Sequence, residues 1–160
     1  VKLDQVDVPE PEAGELLVRV RASPLNPNDL ERITGGNMMV RPELPFSPGM
    51  EVMGEVVSTG DGAEAWNGVR GVAMPKGANG GFAEYAVFPI VSAFEMPEWV
   101  PLPDAAALDF LFHLAWLGLD DRAELASGEA VLIHAAAGGL GSAHGLPPRL
   151  GRNFLSAAEG

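Results

Sequence analysis

Apolar and polar positions alternate most regularly from Leu16 to Ala22, where Leu16, Val18, Val20 and Ala22 fall on one side and Arg19 and Arg21 on the other. That period of two predicts a half-buried β-strand with the four apolar residues toward a core. Glu51 to Thr59, Val72 to Met74 and Gly81 to Phe88 predict further strands, with Gly54 marking a bulge or a close backbone approach. The opening VKLDQVDVPEPEAGE predicts a short strand and then a linker of proline and glutamate. Short strands turned by glycine and proline at this spacing predict a small β-barrel or sandwich.

Helical patterns interrupt the strands in two places. SPLNPNDLERITG predicts a turn and a short helix with Asn28 or Asp29 as N-cap. Beyond Trp99 an alanine- and leucine-rich run predicts one helix from Asp104 to about Leu119, capped by Asp104 behind Pro103, and a second short helix ending at Glu124 and Leu125. Val131 to Ala135 then reads as a buried parallel strand entering a glycine turn, VLIHAAAGGLGSA. Such a turn lets the backbone approach a pyrophosphate while the following helix aims free N–H groups and its positive dipole end at the phosphate.

The glycine pattern is partial. Gly139 and Gly141 supply the first two glycines of G-x-G-x-x-G/A, but the third small position is His144, whose ring would push helix and strand apart. Gly145, Pro147 and Pro148 follow within two turns, which predicts a helix cut short. The remaining RLGRNFLSAAEG reads as too short for a return strand and a second crossover. Taken alone, the turn fits an ordinary core connection as well as a nucleotide loop.

Composition narrows the classes. A net charge of −12 over 160 residues opposes nucleic acid and anionic membrane as partners. The absence of cysteine excludes disulfides, thiol catalysis and cysteine-bound zinc, and it fits a cytoplasmic, reducing setting. The most apolar stretch, Ala105 to Leu119, is shorter than a bilayer span and carries Asp109 and His113. His113 and His134 read as core or cleft-edge residues, and no order of histidine, carboxylate and serine points to a hydrolase.

Four segments in order carry a resemblance: Asn26-Pro27-Asn28-Asp29, Pro45 to Gly54 (P-x-x-P-G-x-E-x-x-G), Gly80 to Tyr85 (GGFAEY) and His134 to Gly141 (HAAAGGLG). Over about Leu3 to Ala143 the chain resembles the medium-chain dehydrogenase/reductase superfamily, in its zinc-free quinone oxidoreductase (zeta-crystallin-like) branch. The resemblance implies a mainly β fold with an α/β stub: a GroES-like catalytic barrel over 1–100, linking helices over 101–128, the first strand and glycine turn of an incomplete Rossmann domain over 129–144, and a divergent tail over 145–160. Zinc-dependent relatives place a histidine just before the glutamate corresponding to Glu51, where this chain has Met50, so no metal site is expected and Glu51 reads as structural.

The activity implied is hydride transfer from NADPH to a quinone or another α,β-unsaturated carbonyl, in a dry cleft that orients the reactants and stabilises the developing oxyanion. By residue chemistry Asn26-Pro27 is a turn and Asp29 a cap. The resemblance instead places Asn26 at the nicotinamide end of the cleft, with Asp29 supporting that loop. It assigns Gly138, Gly139, Leu140 and Gly141 to the pyrophosphate through their N–H groups, and Ala136 to the approach of the ribose. The chain departs from the family at Leu114, where a threonine is common, at Val69, where an aspartate is usual, and near Asn37-Met38, where a tyrosine is often found.

The start at Val1 implies missing upstream residues, and the basic, proline-containing tail implies a reading frame shifted or cut near His144, giving a fragment of impaired activity. The alternatives are a non-enzymatic GroES-like module held by self-association, such as a homodimer, or by a partner protein, and an enoyl reductase relative.

Overall fold

The computed structural model describes residues 1–36, 41–145 and 153–157, and it divides into two compact units, Val1–Asp109 and Phe110–Gly160. The first unit is built on a five-stranded antiparallel sheet. Its strands are β1 (Glu15–Ala22), β2 (Val52–Thr59), β3 (Arg70–Ala73), β4 (Tyr85–Pro89) and β5 (Ala93–Glu95), in the order β4-β1-β2-β3-β5. Helix α1 (Pro27–Thr34) leaves the end of β1, and α2 (Leu102–Ala106) closes the unit.

Alternation puts Leu16, Val18, Val52, Val56, Ala73, Ala86 and Phe88 into one core on one side of the sheet. Met53 and Val72 point the other way and are covered by Val100 and by Ala105 and Ala106 of α2. The sheet is therefore apolar on both faces at its centre, which makes the register costly to slip.

The register carries one departure from the sequence pattern. Ala22 packs with Met53 and Val72 rather than with Leu16 and Val18, because the β1–β2 pairing shifts between Val20 and Ala22 and the extra residue turns the strand end over. Gly54 sits opposite Val20 at that shift. A side chain there would fall well inside contact distance of Arg19 O and Val18 Cγ1, so the glycine marks both a bulge and a close approach. Arg19 and Arg21 stay on the solvent side with Glu55, at 2.8 and 3.7 Å.

Three other expectations change. The opening strand is absent: residues 1–12 have no regular structure and Val1, Leu3 and Val6 are exposed, since no described strand pairs with them and an apolar alternation without a ladder gains little. The strand expected from Gly81 begins only at Tyr85, because the amides of Gly80, Gly81 and Phe82 bond to carbonyls of the loop at Ser47 to Gly49. The helix expected from Asp104 to Leu119 is broken. Asp104 lies inside α2, which follows Pro101, and α3 (Phe110–Trp116) starts afresh after the buried Asp109. Aspartate before an apolar run is itself a helix-start residue. A π-helical turn then runs over Leu117–Arg122, in place of a helix ending at Leu125.

The second unit also holds β6 (Ala130–His134), α4 (Gly139–Gly145) and β7 (Asn153–Ala157). β7 pairs in parallel with β6, from Ala130 opposite Asn153 to His134 opposite Ala157. The expectation of no return strand is thus overturned: a seven-residue helix is short enough for the chain to reach back. β6 is not the buried strand expected, since only Ile133 is buried and Leu132 is 60% exposed. His113 and His134 are exposed rather than core residues. The positions Asn37, Met38, Pro147, Pro148, Arg149 and Arg152 lie outside the described residues. Among the described residues no helix is long and apolar enough to cross a membrane.

Candidate functional site

The candidate residues fall into one group in each unit. In the first unit they gather where α1 begins. The N-cap is Asn26, with Pro27 at the first helical position, rather than Asn28 or Asp29. Proline in that place is pre-set for helix and lacks only an N–H that would be unpaired anyway, a signal already in the sequence. Asp29 then falls one turn in. Its Oδ2 accepts from the Asn26 N–H at 2.9 Å and its Oδ1 from the Gly49 N–H at 3.1 Å. It has no exposed surface, so its role is to fasten α1 to the loop before β2.

Asn26 is buried as well, and its side-chain amide donates to Glu51 Oε2 at 2.6 Å. Glu51, 2% exposed, lies just before β2, and its backbone carbonyl accepts from Ser23 Oγ at 2.6 Å. Next to it Met50 Sδ lies 3.8 Å from Asn28 Nδ2. A buried carboxylate needs such donors, and here Asn26 is one of them. Among the described residues no group of three or more histidine, aspartate or glutamate side chains is placed to hold a metal ion.

Sequence reasoning missed Arg32. One turn beyond Asp29 on the buried side of α1, it donates through Nη1 to the Ala78 carbonyl and to Asn79 Oδ1, at 3.4 Å for the latter. Its position three after Asp29 places both on one helix face, which the pattern of charges shows in retrospect.

In the second unit the glycine turn joins β6 to α4. Ala135 takes a left-handed conformation, φ 52°, and its carbonyl accepts from the Gly138 N–H at 2.9 Å. The Gly138 carbonyl accepts from the Ser142 N–H at 2.8 Å, closing the first helical turn. The Gly138 N–H, one of the four that the resemblance assigns to the pyrophosphate, is thus taken up inside the turn. The N–H groups of Gly139, Leu140 and Gly141 form the first turn of α4, where intrahelical acceptors do not exist.

Gly141 is the packing glycine. A Cβ there would lie 2.6 Å from Ala136 Cα and closer still to Ala135 O. His144, expected to hold helix and strand apart, does not enter that contact. Its Nδ1 lies 2.7 Å from the Leu140 carbonyl and its Nε2 faces Gly118. Ala136 is half-buried and Leu140 is exposed.

Residues 12–98 match the alcohol dehydrogenase GroES-like domain. The chain belongs to that family. Within it, the chain is a member of the medium-chain dehydrogenase/reductase superfamily, on the side of the quinone oxidoreductases. It is 34% identical over 138 residues to the quinone oxidoreductase of Rattus norvegicus, a match spanning 86% of this chain and 42% of that protein. The quinone oxidoreductase of Thermus thermophilus, solved also with NADPH, aligns at a TM-score of 0.84 and 36% identity over 99% of this chain and 50% of its own. The human synaptic vesicle membrane protein VAT-1 homolog-like protein aligns at 0.87 and 31% identity, over 96% and 50%. The chain thus spans about half the length or less of the relatives it matches. The GroES-like match ends at residue 98, before the β6 turn, so the similarity over the turn rests on these longer alignments.

Proposed function

We propose that this chain is the GroES-like catalytic portion, with the opening of the nucleotide site, of an NADPH-dependent oxidoreductase that reduces a quinone or another α,β-unsaturated carbonyl. The observation that carries the reading is the β6 turn: Gly141 permits a backbone approach that any side chain would block, and it leaves three consecutive amides at the head of α4. That arrangement fits a pyrophosphate. The likeness to a quinone oxidoreductase described with NADPH supports the choice of cofactor.

In this reading Gly139, Leu140 and Gly141 hold the pyrophosphate through N–H groups, and Ala136 leaves room for the ribose. The chemistry the cofactor supplies when bound is hydride donation to the acceptor. Asn26 is the catalytic polar group of the first unit, held in one orientation by Glu51, and Asp29 is its support. The acceptor's oxygen gains charge as it is reduced, and fixed donors in a site without water are the means a protein has to stabilise it.

The test is NADPH oxidation by the purified protein with 1,4-benzoquinone and with a simple enone. The reading expects acceptor-dependent oxidation, at the impaired rate that the sequence implies, which Gly141→Val abolishes. No acceptor-dependent rate, or a rate unchanged by that substitution, contradicts it.

A further inference from the structure

Three segments that are far apart in sequence close a ring at the start of β2. Asp29 ties α1 to the loop at Gly49. Arg32, one turn on and 8% exposed, ties α1 to the loop at Ala78 and Asn79. The two loops are then tied to each other by three backbone bonds: Gly80 N–H to Ser47 O at 2.7 Å, Gly81 N–H to Gly49 O at 2.9 Å and Phe82 N–H to Pro48 O at 2.9 Å.

The link through Ala78 is not a relaxed turn. Gly77, Ala78 and Gly80 all have positive φ, at 69°, 53° and 106°, and a left-handed alanine is strained by its Cβ. Asn79 Nδ2 donates to the Gly77 carbonyl at 2.9 Å, which helps to hold the bend. A buried guanidinium on the Ala78 carbonyl is the contact that fixes this loop from the side of α1. Charge-assisted bonds of this kind are among the stronger ones available.

We infer that Arg32 is a positioning residue: by closing this ring it fixes the orientation of Asn26 against Glu51, although it touches neither in the hydrogen-bond network of the described residues. The geometry gives the route. Arg32 sets the 78–82 loop, that loop sets Ser47 to Gly49, Gly49 meets Asp29, and Asp29 holds the Asn26 N–H. The functional meaning rests on the role proposed for Asn26, whereas the positioning itself does not.

The experiment uses the full chain labelled with ¹⁵N, comparing wild type with Arg32→Met and Asn79→Ala. It reads the Asn26 side-chain amide resonance and the exchange of backbone amides. Arg32→Met keeps side-chain bulk and removes the donors. It is expected to shift the Asn26 Nδ2 signal and to speed exchange of Asn26, Gly49, Gly80, Gly81 and Phe82 together by tenfold or more, with Val18 and Val56 in the sheet unchanged. Arg32→Lys, which restores a charged donor, is expected to return part of the effect.

A merely structural anchor would loosen Ala78 to Gly80 and leave the Asn26 signal in place. That result overturns the inference. If Arg32→Met fails to fold, Asn79→Ala weakens the ring from the opposite side, since it removes the 3.4 Å contact with Arg32 and the bond to the Gly77 carbonyl. A smaller shift of the Asn26 signal is then expected, and an unmoved signal overturns the inference. Neither readout involves NADPH or an acceptor, so a failure of the proposed activity is told apart from a failure of the positioning.

Discussion

Gly49 and Gly81 meet backbone to backbone. A Cβ on Gly49 would lie 2.7 Å from Gly81 C and closer to Phe82 N, and one on Gly81 would lie 2.9 Å from Gly49 O and 2.8 Å from Val52 Cγ1. The loop that ends in Glu51 and the GGFAEY segment are therefore held at a distance that only glycine allows. Gly49 also has φ 104°, outside the range that other residues adopt readily.

Replacing Gly49 by alanine combines a strained backbone with overpacking, and it is expected to cost roughly 2 kcal/mol or more. Gly14 is the control, since its φ is 72° but a Cβ there meets nothing within 4 Å. Gly14→Ala is expected to cost only about 1 kcal/mol, the left-handed penalty by itself. Urea denaturation of the two variants beside wild type checks the difference, and equal midpoints would refute the close-approach argument.

Asn26→Asp would set a second carboxylate against Glu51 at the site of the present 2.6 Å bond. Losing a hydrogen bond to a charged group costs roughly 1.5–3 kcal/mol, and repulsion adds to it. The loss is expected to be largest near neutral pH. It shrinks as acid protonates one of the pair, because a neutral carboxyl can donate to its neighbour. Thermal melting of the variant at several pH values measures this, and a pH-independent deficit would argue against direct contact between the two groups.

Lys76 bridges Glu15 at 2.8 Å and Glu12 at 3.2 Å. The Lys76 ammonium, helped by the Glu12 N–H, holds the Glu15 carboxyl below the usual carboxylate range, and Glu15 in turn raises Lys76. For a lowered carboxyl, the stability gained is complete above its unfolded value and disappears as pH falls through the folded one. For a raised lysine it is complete below the unfolded value and disappears as pH climbs through the folded one. Lys76→Met is therefore expected to flatten part of both the acid and the alkaline fall in melting temperature and to lower the plateau to match, by a small amount because the lysine end of the pair is solvent-exposed. An unchanged acid limb would show that the pair is not formed.

The parts of this fold that were legible in the sequence are those where one local rule decides. β1 and β2 follow from alternation, and the glycine turn after β6 from its composition. The parts that were not legible depend on contacts between distant segments. Gly81 to Glu84 has strand character, but its first amides are taken by the Ser47 to Gly49 loop, which no local pattern announces. The alanine-rich run from Asp104 looks continuous because alanine and leucine favour helix everywhere, so the restart at Phe110 shows only in Asp109. Asn26 and Asp29 were identifiable as a pair, while nothing local singles out Arg32, because its partners lie more than forty residues away.

The central claim is that the turn from Ala135 to Gly141 receives the pyrophosphate of NADPH, and titration of the purified chain, read by nicotinamide fluorescence, addresses it most directly. Saturable binding at roughly micromolar NADPH is expected. Gly141→Ala is expected to abolish it, because the new methyl meets fixed backbone at Ala135 and Ala136. Gly139→Ala is expected to weaken it little, because there the methyl meets only Leu111 Cδ1, the movable end of a side chain. No binding up to millimolar NADPH, or binding that ignores Gly141, would contradict the account.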